Sequence, residues 1–324
     1  MSITSPAVGT RDTKAVSILT FARDYAVLIL LVVLFIVLSI SSPSFLTFNN
    51  IVNIINQNAP LAIIATAGTF VVISGAFDLS TGAIFAVGSV LAASVAVATD
   101  NAALALLAAP VVGLILGLLN GLAVTMLRVH SFLATLASSL VFKAVAVLIT
   151  GGSLITVTTP GFSWLGRERI GGIFVPVFIL VVVAGVMWFV LKRTTFGRYV
   201  FAIGGNDEAA HLSGVRVDKM RVIVFMLSGL AAGIAAAIAV SRIGSGQPQA
   251  GTGIELQAIA AVILGGTSIY GGVGAVWRSV AGVFLIALIG NGFDILNFNP
   301  QIKDLVTGLI ILAAVALAAV GKRR

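Results

Sequence analysis

The stretch Gly204-Gly205-Asn206-Asp207-Glu208-Ala209-Ala210-His211-Leu212-Ser213-Gly214 decides how the rest of the chain is read. It lies inside Lys192 to Arg221, a segment with nine of the thirty formal charges in about a tenth of the residues. A hydrocarbon layer excludes that density of charge, so the segment stands in water. Its middle reads as a very short helix with marked ends. Asn206 suits the N-cap, Asp207 and Glu208 place negative charge at the positive end of the dipole, and Gly214 suits the left-handed position that stops a helix. Two turns alone in water do not repay the cost of nucleation, so this helix is expected to dock on something.

Outward from that segment the chain is oily. Of 324 residues 59% are hydrophobic and 9% charged, and the mean hydropathy is +1.15. Soluble domains carry about a quarter charged residues, so the composition describes an all-α polytopic membrane protein. Cysteine is absent, which removes disulfides and thiolate chemistry. The net charge of +8 is scattered over short connections. Anionic lipid and the positive-inside bias account for it, and no nucleic-acid partner is expected.

Taken in order, residues 1–24 form a polar cytosolic segment before an apolar first span, Tyr25 to Ile40. Ile51 to Thr99 holds two crossings with a break at Ser74 to Gly82. Further spans are Ala102 to Leu127, Phe132 to Ile149 and Ile173 to Leu191, the last preceded by the longest external loop, Gly151 to Gly172. Beyond the charged segment come Val222 to Val240, an irregular external connection from Arg242 to Glu255, then Leu256 to Trp277, Ser279 to Leu296 and Asp304 to Val320. The organisation is a first half (25–191), a coupling segment (192–221), a second half (222–320) and a basic tail (321–324). Ten crossings put both termini in the cytosol. This arrangement leaves fourteen of the 19 Lys and Arg residues inside and four outside, with Lys143 within a span. Lys143 is expected at the external rim or paired inside the bundle.

Sliding the chain against itself by 171 residues lays Ser74-Gly75 on Ser245-Gly246, Thr81-Gly82 on Thr252-Gly253 and Asn120-Gly121 on Asn291-Gly292. An offset of five crossings reverses direction, so the halves are expected to be inverted copies. Gly113, Gly117 and Gly121 form one small-residue face, Gly229 and Gly233 another, and the glycines from Gly265 to Gly274 are expected to serve helix packing.

No nucleotide-cradling loop, zinc helix or nucleophile elbow is present, so catalysis and a bound cofactor are not expected. Uphill transport then draws on an ion gradient or on another subunit. Asp78, flanked by glycines at the break between spans two and three, is the candidate for a pathway or hinge role. Ser74, Gly75, Ser80, Asn120, Gly265, Gly266 and Asn291 join it as candidate path or hinge residues. Glu255, Asp294 and Asp304 read as interfacial groups.

The segment Gly204-Gly205-Asn206 through Glu208-Ala209-Ala210 to Leu212-Ser213-Gly214 resembles the Glu-Ala-Ala…Gly cytosolic loop of permease subunits in ATP-binding-cassette importers, in detail the ribose and other monosaccharide branch. Ile73-Ser74-Gly75 with Asp78-Leu79-Ser80, Asn120-Gly121-Leu122, Phe132-Leu133-Ala134-Thr135-Leu136, and Ile263-Leu264-Gly265-Gly266-Thr267-Ser268 are similar to further motifs of that branch. The resemblance implies a permease subunit of the bacterial inner membrane that carries a monosaccharide. It implies three partners: a second permease copy, a cytosolic ATPase holding ATP and Mg, and an external sugar-binding protein. Gly204 to Ala210 with Leu212, Ser213 and Gly214 would then be the coupling helix. His130-Ser131, Arg278 and Phe293 depart from the pattern. An ion-coupled carrier working alone, or a permease for nucleosides or furanone-type signals, is the alternative.

Overall fold

The computed structural model describes residues 13–299 and positions 301–303, 305–306, 308–309 and 312. The first half comprises α1 (Thr13–Ser41), α2 (Phe48–Ile73), α3 (Thr81–Thr99), α4 (Ala102–Met126) and α5 (Ser131–Thr150). A connecting loop follows with β1 (Ile155–Thr156), α6 (Trp164–Arg167), β2 (Arg169–Ile170) and β3 (Ile173–Phe174). Then come α7 (Val175–Arg193), α8 (Thr195–Gly205), α9 (Asp207–Leu212), α10 (Val217–Ile243), β4 (Ser245–Gly246), α11 (Ile254–Leu264) and α12 (Val276–Ile295). Seven of these helices, α2, α3, α4, α5, α7, α10 and α12, are long and apolar enough to cross a membrane. The chain is a polytopic all-α membrane protein. The expected last span (Asp304 to Val320), the tail 321–324 and residues 1–12 lie outside the described residues or nearly so.

The core sits where α2, α3 and α10 meet, around Phe70, Ile63, Ile84, Phe225 and Ile238, all fully buried. The helices α4, α5 and α7 bury only 22–28% of their apolar windows and form the outer wall. Two small-residue faces read from the sequence pack on each other. A methyl on Gly113 would overlap the Gly229 carbonyl, one on Gly117 the Phe225 carbonyl, and one on Gly233 the Ala109 carbonyl. Backbones that close leave room for no side chain, and the dispersion contact of two whole helices replaces it.

At the end of the bundle away from α9, the loop between α5 and α7 is clamped down. The strand β1 pairs antiparallel with β4, Ile155 opposite Gly246. The Ser241 hydroxyl donates to the Phe162 carbonyl (2.6 Å) and accepts from the Gly166 amide (2.8 Å). Arg167 donates to the carbonyls of Arg242 and Ile243.

Three expectations are corrected. Leu256 to Trp277 is not one crossing: α11 stops at Leu264 after 11 residues, and 265–275 is loop. Its glycines turn the chain rather than pack one continuous helix, although a methyl on Gly282 would still overlap the Ala261 carbonyl where α12 crosses α11. Finally, Arg242 to Glu255 is not an external connection throughout. Gly246 lies against Ser89, Val90 and Ala93 of α3, and Gly251 against Gly82 and Phe85, so the segment descends along α3 into the bundle. Non-helical backbone is tolerated at that depth because it is enclosed by protein.

Candidate functional site

The short helix forms as its end signals dictate. The Asn206 side chain accepts from the Ala209 amide at 2.9 Å. At the other end Gly214 has φ +85°, its amide reaches the His211 carbonyl (2.9 Å), and the Val215 amide reaches the Ala210 carbonyl (3.0 Å). That pair of bonds is a Schellman stop, available to a residue free to adopt positive φ. Ala210 is buried against Ile203, Val215 and Val217, so α9 docks first on its own chain. Asp207, Glu208, Ala209, His211, Ser213 and Gly214 remain exposed, and Leu212 is 81% exposed. Asp207 pairs with Arg221 at 3.0 Å. Half-exposed as it is, that pair contributes little stability.

Gly204, at the end of α8, faces inward onto two other loops, whereas the next residue, Gly205, is exposed and only its backbone lies near Gly272. A methyl on Gly204 would overlap the Ile73 carbonyl at the end of α2 and lie 2.6 Å from the Gly272 amide. That amide donates to the same Ile73 carbonyl at 2.8 Å. One on Gly271 (φ +85°) would sit 2.7 Å from the Gly204 carbonyl oxygen and 3.1 Å from the Gly75 Cα. Three loops thus touch backbone to backbone and tie the base of α9 to the end of α2 and to the α11–α12 connection. Gly75 belongs to this joint. Gly265 is buried under Arg278, where a methyl would lie 2.5 Å from the Arg278 carbonyl oxygen, and Gly266 is exposed beside it.

Deeper in the bundle, residues 77–80 are held by side chains from three helices. Asp78, buried, accepts through Oδ1 from the Ser80 amide (2.9 Å) and hydroxyl (2.6 Å), and through Oδ2 from the Ser228 hydroxyl of α10 (2.7 Å). The Asn120 amide of α4 donates to Ser80 Oγ at 2.6 Å. Thr135 and Ser131 of α5 accept from the amides of Leu79 (3.0 Å) and Phe77 (3.1 Å). Buried polar groups left unpaired are costly, and this network leaves none of its carboxylate, hydroxyl or amide partners idle. Ser74 is apart from it, its hydroxyl bonded to the Val71 carbonyl (2.7 Å). Asn291 is apart too: it exchanges two amide hydrogen bonds with Asn50, at 3.0 and 3.2 Å, joining α12 to α2. Lys143 is half-buried on α5 and pairs with none of the described carboxylates.

Asp78, Thr81 and Ser228 share a small cavity with Glu255 of α11, lined also by Ile64, Gly68 and Val262. Glu255 Oε2 is buried with no hydrogen-bond partner. A methyl on Gly82 would overlap it and lie 2.6 Å from the Gly251 carbonyl oxygen. Ser228 escaped the sequence reading, whereas Thr135 appeared there only within a motif and Ser131 only as a departure from the pattern, neither with a role assigned. The available signal was Ser228 itself, the lone hydroxyl in the apolar run Val222 to Val240.

Comparison with known proteins places these features in a family. Residues 50–315 match the family model described as branched-chain amino acid transport system / permease component. The chain is 39% identical over 292 residues to the ribose import permease protein RbsC of Escherichia coli (strain K12), covering 89% of this chain and 91% of that protein. It is 41% identical over 289 residues to RbsC of Bacillus subtilis (strain 168), covering 89% and 90%. To the L-arabinose transport system permease protein AraH of Escherichia coli (strain K12) it is 36% identical over 292 residues, covering 90% and 89%. No solved structure matches it. The chain therefore belongs to this permease family, on the monosaccharide branch of the ABC importers, as a multi-pass protein of the bacterial inner membrane that leaves ATP hydrolysis to a separate subunit.

Proposed function

We propose that this chain forms the translocation path for a monosaccharide of the ribose type. It works as one of two permease copies, driven by a cytosolic ATPase that binds ATP and Mg, and fed by an external sugar-binding protein. The observation that carries the reading is α9, capped at both ends by its own sequence, seated on its own chain through Ala210, and offering Leu212 and Glu208 outward. Leu212, exposed beside the charged residues of α9 on the most charged part of the chain, supports reading this helix as a contact surface. The residues Asn206 to Gly214 engage the ATPase, and Gly204 and Gly205 pass its movement to α2 and the α11–α12 loop. Relatives named for ribose, L-arabinose and D-allose favour a sugar over a nucleoside or furanone cargo.

On this reading the α9 end is cytosolic, both termini lie on that side, and the chain makes ten crossings in two inverted halves, the eighth made by the descending segment 245–253 together with α11. Support comes from which helices touch. Under the shift of 171 residues α2 corresponds to α10, α3 to α11 and α4 to α12. Correspondingly, α2 packs on α12 as α10 does on α4, α3 on α4 as α11 does on α12, and α3 on α10 as α11 does on α2. The entering segments 74–80 and 245–253 correspond as well, and the second rests on the start of α3, just after the first, where Gly251 touches Gly82. Inverted repeats with discontinuous helices meeting at mid-membrane are a recurrent transporter design.

The test is ribose uptake by proteoliposomes. Uptake is expected only when ATP, the ATPase and the binding protein are all present, and Glu208→Lys should abolish it without reducing membrane insertion. Uptake by the permease alone under an ion gradient would overturn the reading.

A further inference from the structure

The outer half of α2 is unlike any other span of this chain. It reads Phe48-Asn49-Asn50-Ile51-Val52-Asn53-Ile54-Ile55-Asn56-Gln57-Asn58, six carboxamides in eleven residues, and α2 has the lowest hydropathy of the seven long spans. At 100° per residue Asn49, Asn53, Asn56 and Gln57 fall within one arc of the helix. Two neighbours are committed elsewhere: Asn50 to Asn291, and Asn58 to the Ile54 carbonyl at 2.8 Å. The arc is not. Among the described residues Asn49 has a single long contact, with Arg169 at 3.5 Å, half-buried Asn53 and exposed Gln57 bond no other side chain, and Arg242 donates to the Asn56 backbone carbonyl at 3.1 Å. Gln57 is exposed although it lies about 14 Å along the helix from Phe48. Asn56, only 5% exposed, leaves its Oδ1 buried without a donor.

Exposed carboxamides at that depth are incompatible with a lipid-facing surface, because hydrocarbon supplies no hydrogen-bond partner. We propose that Asn49, Asn53 and Gln57, backed by Asn56, form a water-filled, hydrogen-bonding wall that takes the hydroxyls of a polyhydroxylated, uncharged solute as it leaves the outer mouth. A carboxamide offers two donors and two lone pairs, and so matches a hydroxyl in either sense without demanding charge. Farther along the same arc lie Ile64, Gly68 and Val71, which line the small cavity beside Glu255 and Asp78. The wall therefore leads toward the cavity between Asp78 and Glu255, next to the contact of Gly82 with Gly251. This deepens the proposed function and rests on it for the identity of the solute.

Because the chain has no cysteine, single substitutions report directly. Asn49→Cys, Asn53→Cys, Gln57→Cys and the control Val141→Cys, on the exposed apolar face of α5, would each be placed in the full transporter in proteoliposomes. Each is treated with a charged, membrane-impermeant thiol reagent. All three row positions should be modified and Val141→Cys should not. Ribose at high concentration should slow modification at positions 53 and 57 several-fold, whereas an equal concentration of glycine betaine should not. If Asn53→Cys and Gln57→Cys stay unmodified while Asn49→Cys reacts, the row is not wet and the proposal fails. If they react but ribose gives no protection, the ligand assignment fails. ATP-driven ribose uptake by the cysteine-free parent is measured alongside, so that loss of the transport reading is seen separately from loss of the wall.

Discussion

Residues 74–80 and 245–253 are both non-helical stretches inside the bundle that lead into a helix, and they are held in opposite ways. The first is tied by side chains from α4, α5 and α10 through Asp78, Ser80 and the Phe77 and Leu79 amides. The second is bonded to itself, to β1 at its outer end, and otherwise rests on α3 through glycine contacts. Directional bonds from three helices fix a segment in one place. Glycine contacts fill space without directional bonds. The two segments, which correspond under the proposed repeat, are thus held differently: the first by hydrogen bonds from three helices, the second, continuous with α11, by close packing on α3.

That contrast can be broken at three points. The largest effect is expected where the second segment touches the start of α3. In Gly82→Leu the side chain has no space between Glu255 and the Gly251 carbonyl, and overpacking of this kind costs about 3 kcal/mol or more. The yield of monodisperse protein in detergent should collapse, and a normal yield would show that the contact is dispensable. A middle effect is expected at the anchor. Asp78→Ala leaves the Ser80 and Ser228 hydroxyls and the Ser80 amide without their acceptor, which should lower stability by about 1–3 kcal/mol. Asp78→Asn keeps an oxygen for Ser80 and turns an amide toward Ser228, so its loss should be about 1 kcal/mol or less. Thermal unfolding in detergent measures both, and equal losses would mean that the charge rather than the geometry anchors the segment. The smallest effect is expected across the cavity. Glu255 has no hydrogen bond to lose through Oε2, so Glu255→Gln should not lower stability and should shift it, if at all, upward by relieving a buried unpaired carboxylate. A loss as large as that of Asp78→Ala would erase the distinction between the two segments.

Much of this was legible because helix ends and membrane spans are local. Asn206 and Gly214 announce the limits of α9 within nine residues, and the break at Ser74 to Gly82 separates α2 from α3 where the polar and glycine residues cluster. Facing glycine rows on α4 and α10 were each visible as a spacing, although their pairing needed coordinates. The reading failed between Arg242 and Trp277. There an apolar average conceals a descent, a short helix and a loop, because hydropathy reports what a segment can be buried in and not whether its backbone is helical. Gly265 to Gly274 gave the same signal of small residues as a packing face, and only the bond from Gly272 to Ile73 identifies it as a joint. Asp78 was singled out from its setting, while its partner Ser228 stands 150 residues away, beyond any local pattern.

The claim on which the account turns is that force enters at α9 from a separate ATPase. Leu212→Cys, in a chain with no other cysteine, gives one attachment point at the exposed apex of that helix. In vesicles holding the complete transporter, a short thiol-reactive photocrosslinker at this position should join the permease to the ATPase subunit and remain inaccessible to impermeant reagent added outside. Crosslinking to the binding protein, or modification from the same side as Asn49→Cys, would contradict it.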